Sequence, residues 1–134
     1  MSDRCYMEIQ CAKKDYDEVL HEYFPDVLET AGEFLWASAS EADYAYADEV
    51  EEWSRQGMVF IAFHGSGGNY GAYEIASEGK KVREQPNHQD HRLVVPLNDT
   101  TGTPDSAALE QAQAFLEVRR RAQEYLNKLH AVGG

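Results

Sequence analysis

Gly57-Met58-Val59-Phe60-Ile61-Ala62-Phe63-His64-Gly65-Ser66-Gly67-Gly68-Asn69-Tyr70-Gly71-Ala72-Tyr73-Glu74-Ile75-Ala76-Ser77 is the stretch on which the fold of this chain turns. A short apolar run bounded by glycine and rich in aromatic and β-branched residues, Met58 to Phe63, predicts a strand buried on both faces. The glycines that follow permit positive φ or close backbone approach. Ala72 to Ala76 then alternates as a half-buried strand does. The expected core is a central strand, a bend and a neighbouring strand.

Working outward to the N-terminus, Cys5, Met7, Ile9 and Cys11 alternate with Tyr6, Glu8 and Gln10, which predicts a first strand over Arg4–Cys11. Asp15 to Phe24 places Tyr16, Val19, Leu20 and Tyr23 at helical spacing, and Pro25 stops it. Val27, Leu28 and Ala31 suit a further helical turn capped by Gly32, and Phe34–Ala37 predicts a second strand. Ser40 followed by Asp43 reads as the start of a helix with inner stripe Tyr46, Ala47, Val50 and Trp53, ended by Gly57.

Towards the C-terminus, Glu78-Gly79 is expected to turn the chain into a strand over Lys80–Glu84. Leu93, Val95 and Leu97 predict another strand, placed at an edge by Pro96. Thr103 as N-cap and Pro104 at the first helical position open a long helix to about Leu129. Its stripe is Ala108, Ala112, Phe115, Val118, Ala122, Tyr125, Leu126 and Leu129, with Glu117–Arg121 and Glu124–Lys128 as i,i+4 pairs. The whole predicts one α+β domain over residues 1–134, a mainly antiparallel sheet of about five to six strands covered by three helices.

With 134 residues, 43% of them hydrophobic, the chain is long enough to build a core without metal or disulfide staples. No apolar run reaches membrane-spanning length. Met1-Ser2-Asp3-Arg4-Cys5 lacks the layout of a secretion signal, so a cytoplasmic location is expected. Cys5 and Cys11 on one extended strand would stand roughly 20 Å apart, beyond disulfide reach, and are expected as reduced thiols.

The net charge of −12 is concentrated in one half: residues 1–67 hold 15 Asp/Glu against 4 Lys/Arg, and residues 68–134 hold 9 against 8. From Asp15 to Ser54 there are thirteen carboxylates and no Lys or Arg. That charge counts against direct nucleic-acid binding by this half and favours a basic partner. On a helix from Ser40 to Gln56, Glu41, Asp48 and Glu52 would fall near one outer line, with Asp43, Glu49 and Glu51 on the flanks and Tyr44 among them. Carboxylates spread along such a surface can imitate a phosphate backbone and occupy the Lys/Arg groups that hold DNA. The plain alternative is a solvated acidic face that confers solubility only.

The glycine bend offers chemistry of a second kind. A dinucleotide fingerprint would need glycine at Tyr70 and a helix afterwards, and no Gly-Lys-Ser/Thr of a P-loop occurs. His64-Gly65-Ser66-Gly67-Gly68 resembles the oxyanion-hole loop of α/β-hydrolases over Phe60–Gly68, but the nucleophile elbow is missing from the chain. His88, Asp90 and His91 could ligate a metal, yet no HExxH or paired-cysteine spacing supports them. Arg119-Arg120-Arg121 could bind phosphate, and more simply complements the negative end of a long helix.

The function expected from sequence is therefore that of a small, acidic, non-enzymatic protein that binds a basic protein surface. Its sharpest form is a DNA mimic inhibiting a nucleic-acid-binding machine of restriction or CRISPR type. The expected contact residues are Glu41, Asp43, Asp48, Glu49, Glu51 and Glu52, with no catalytic group, cofactor, metal or membrane. The alternative is a ligand-binding or hydrolytic site using His64, Ser66, Asn69 and Tyr70. A third reading is a homodimer formed through the C-terminal helix or the Leu93–Leu97 edge.

Overall fold

The structure, a computed structural model, describes residues 4–67, 71–79, 82–86 and 93–132. Its centre is one sheet built from β1 (Arg4–Ala12), β2 (Asp26–Ala31), β3 (Phe34–Asp43), β4 (Val59–His64), β5 (Tyr73–Glu78) and β6 (Val82–Pro86). The strands run in the order β2-β3-β1-β4-β5-β6, and every neighbouring pair is antiparallel. Helices α1 (Lys13–Glu18) and α2 (Ala47–Arg55) cover one face, and the long α3 (Ser106–Ala131) crosses the other. This is the α+β arrangement expected from the sequence.

The alternation of β1 decides which residues face which layer. Cys5, Met7, Ile9 and Cys11 meet Leu35, Ala37, Phe60 and Ala62 from the neighbouring strands and Tyr16, Leu20, Phe24, Val50 and Trp53 from the helical layer. On the opposite face Phe34, Ile61 and Ala76 receive Phe115, Val118, Ala122 and Leu126 of α3. β4 thus buries Phe60 one way and Ile61 the other, as its continuous apolar run predicts. Each such side chain contributes about 1.5–3 kcal/mol relative to exposure. Both cysteines are buried and neither is in a disulfide, and burial, aided by Asp15 and Asp17, pushes the Cys11 thiol up to about 12. Among the described residues, no helix is long and apolar enough to cross a membrane.

Several expected elements are different. Asp26–Ala31 is a strand rather than a helical turn, because pairing it along β3 satisfies an edge that would otherwise be bare. The helix expected over Asp15–Phe24 is split: α1 ends at Glu18 and a 3-10 turn spans Leu20–Glu22, with Tyr16 and Leu20 still buried. Ser40 caps nothing; β3 runs on to Asp43. Leu93–Leu97 forms no regular strand: Leu97 makes one isolated bridge to Pro104, and the Val94 amide bonds the Pro86 carbonyl. That bridge occupies Pro104, so α3 starts later than expected and is capped by Asp105, whose side chain accepts from the Ala107 amide at 3.2 Å.

The arginine triplet is also not a simple helix-end complement. Arg119 Nε donates at 2.5 Å to Oε1 of Glu74, a carboxylate buried under α3, and Arg121 reaches Glu78. Arg120 pairs with Glu124 at 2.9 Å, displacing the expected Glu124–Lys128 pair. Removing Arg119 leaves a buried charge without its partner. Arg119→Ala is expected to lose about 2–3 kcal/mol, at the low end for a buried pair because solvent reaches the guanidinium. Adding Glu74→Gln should restore part of that loss in urea titrations. No recovery would show that Arg119 acts by packing alone.

Candidate functional site

Between β3 and α2 the chain passes through Tyr44, Ala45 and Tyr46, whose φ values are 51, 53 and 52°. Three successive non-glycine residues in the left-handed region cost about 1–2 kcal/mol each. Neighbouring contacts hold them there. Ala45 is buried, the Tyr46 hydroxyl donates to the Tyr23 carbonyl at 2.9 Å, and the Tyr46 ring meets Tyr23, Phe24 and Trp53 edge-on at 5.3, 5.6 and 6.2 Å. The turn swings the chain off the end of β3 and lays α2 across the sheet.

α2 leaves part of that face open. The strand register puts His64 opposite Tyr73, Ala62 opposite Ile75 and Ile75 opposite Glu84, all on one side. A cleft of about 520 Å³ results, with His64, Tyr73, Ile75, Val82 and Glu84 from the sheet, and Tyr44, Ala45, Ala47, Val50 and Glu51 from the turn and α2. His64 is buried; its Nδ1 donates to the Gly65 carbonyl at 2.9 Å and its ring lies 5.7 Å from that of Tyr73. Among the described residues the lining holds two carboxylates and no Lys or Arg. A smaller pocket under α3 is lined by polar groups that satisfy each other, Trp36 Nε1 with Glu8 Oε1 at 2.9 Å and Arg119 with Glu74.

No family model, curated protein or solved structure matches this chain.

The expected contact residues divide into two groups. Glu41 and Asp43 belong to β3, so the outer helical line of Glu41, Asp48 and Glu52 does not exist. Glu41 meets Arg4 at 3.3 Å and Glu52 is bound by Arg55, which neutralises both locally. Asp43, Asp48, Glu49 and Glu51 gather around the left-handed turn and the first turns of α2. Burial raises the Tyr46 phenol, and the nearby Glu49 and Asp43 carboxylates raise it further, so both charges are felt at one hydroxyl.

Of the alternative site, His64 enters the cleft. Ser66 is exposed and outside its lining, while Asn69 and Tyr70 lie outside the described residues, as do His88, Asp90 and His91. Among the described residues no group of His, Cys, Asp or Glu could hold a metal ion. At two of its glycines, Gly65 and Gly71, the bend leaves room for a side chain. A Cβ added at Gly71 would meet nothing within 4 Å, and one at Gly65 would meet only the Tyr6 carbonyl oxygen, at 3.9 Å. Tyr73, Val82 and Glu84 carry no functional signal in the sequence. Period-two spacing puts Tyr73 with Ile75, and Val82 with Glu84, but does not say which face stays uncovered.

Proposed function

We propose that this protein acts by binding a positively charged protein surface, with the acidic face of the α2 layer as its contact. One observation carries the proposal: Asp43, Asp48, Glu49 and Glu51 gather beside a rigid left-handed turn, in a stretch from Asp15 to Ser54 with no Lys or Arg. Opposite charges steer encounter and suppress wrong partners, and such contacts weaken with salt. In the sharper form of the proposal, the partner's basic surface is one that otherwise holds nucleic acid, and this protein competes for it. No reaction is assigned to the protein.

Capture of partners at low and high salt tests this. Binding is expected to weaken at least about tenfold between roughly 0.1 and 0.5 M salt. Asp48→Lys with Glu49→Lys should weaken it about 100-fold. Glu41→Lys and Glu52→Lys should cost less, since each carboxylate already has an arginine beside it. Salt-insensitive capture, or equal loss from all four positions, would count against the proposal. Displacement of the captured protein by duplex DNA would support the mimic form.

A further inference from the structure

We infer that the cleft seats a short basic segment of that partner, a lysine or arginine side chain together with an apolar neighbour; the inference rests on the basic-partner proposal above. Two features of the cleft choose this occupant.

The first is charge. Glu51 and Glu84 enter the lining from α2 and β6, the lining among the described residues holds no Lys or Arg, and Tyr44 and Tyr73 place aromatic rings, of the kind that suit an ammonium or guanidinium, in the same wall. The second is size and polarity. Ala45, Val50, Ile75 and Val82 give an apolar lining, and about 520 Å³ is more than one extended cationic side chain fills. Pockets of about 300–1,000 Å³ hold ligands of several residue-sized groups. A cation with an adjacent apolar side chain uses both the carboxylates and the apolar walls. The wall formed by Tyr44 and Ala45 is preformed, because the left-handed turn is locked by the Tyr46 contacts before anything binds. Asp43 and Asp48 adjoin the lining residues Tyr44 and Ala47 in the chain, so the acidic face would guide a basic segment towards the cleft.

Titration of acetyl-Leu-Arg-Leu-amide into ¹⁵N-labelled protein tests the seat. Amide shifts are expected at Ala45, Val50, His64, Ile75 and Val82, with affinity at least about tenfold above that of acetyl-Leu-Gln-Leu-amide. Glu51→Gln with Glu84→Gln keeps the shape and should remove most of that preference. Ala47→Phe should fill the mouth and abolish binding of both peptides. Equal binding of the two peptides, shifts confined to the outer residues of α2, or no shifts at millimolar peptide would overturn the inference. Tighter binding of spermidine than of the arginine peptide would overturn it in favour of a free polyamine. The two proposals separate cleanly. If Ala47→Phe leaves salt-sensitive capture of the partner intact, the acidic face stands and the seat falls. If the arginine peptide fills the cleft but no basic protein is captured at any salt, the cleft's chemistry stands and the partner proposal falls.

Discussion

Trp53→Ala is expected to cost about 3–5 kcal/mol, the upper range for truncating a buried side chain. Trp53 is 2% exposed and touches Tyr23 at 5.1 Å, Phe24 at 5.9 Å, Tyr46 at 6.2 Å and Phe60 at 6.3 Å between ring centroids. It joins α2 to the central strand and to the 3-10 turn that follows α1. Stability of small domains is about 5–15 kcal/mol, so the variant would sit near its unfolding threshold. The loss should also reach the site. Without the indole, Tyr46 loses one of the rings that hold it left-handed, and the strained turn gains reason to relax. Trp53→Phe should lose less, keeping part of the aromatic contact. Urea titrations give the stability change, and the Tyr44–Ala47 amide shifts report the turn. A loss below about 1 kcal/mol would mean that the ring cluster does not support α2.

Gly32→Ala is the second large effect, about 2–4 kcal/mol, and its cause is backbone rather than core. Gly32 has φ +58°, and a Cβ there would fall 1.9 Å from the Val132 carbonyl oxygen and 2.8 Å from that of Leu129. The β2–β3 turn is docked on the end of α3, where the Glu33 amide donates to the Leu129 carbonyl at 3.0 Å and the Phe34 ring lies 5.2 Å from His130. The methyl group must displace backbone, which cannot bend aside as a long side chain can. Loosening of the last turn of α3 is expected with the stability loss, visible as faster amide exchange near Leu129. Gly102→Ala makes the useful contrast. It has φ +70° but open space around it, so it should cost only the conformational strain, about 1 kcal/mol. Gly71→Ala should be silent. Equal losses at Gly32 and Gly102 would show that the close approach to α3 carries no weight.

The central strand, the first strand and the long C-terminal helix are legible from apolar spacing. A strand buried on both faces and a helix with one apolar stripe each have few other arrangements. Asp26–Ala31 is ambiguous on the same grounds, because Val27, Leu28 and Ala31 suit a helix as well as a strand. Only the free edge of β3 decides between them. Ser40 has the spacing of a cap, since Asp43 follows it by three residues. The strand carries on past it because β1 still offers partners as far as Asp43.

Of the candidate site, the local sequence carries the charge imbalance, the separation of the two thiols and the alternation that sorts residues onto two faces of a sheet. All three are properties of residue type and of short-range spacing. Long-range contacts settle the rest: that Glu41 stands beside Arg4, and that Tyr44 to Tyr46 turn left-handed. They also settle that β5 and β6 extend beyond the cover of α2, opening a cleft around His64. Those outcomes depend on residues distant in the chain, such as Arg4 with Glu41 or Tyr46 with Tyr23, and no local pattern encodes them.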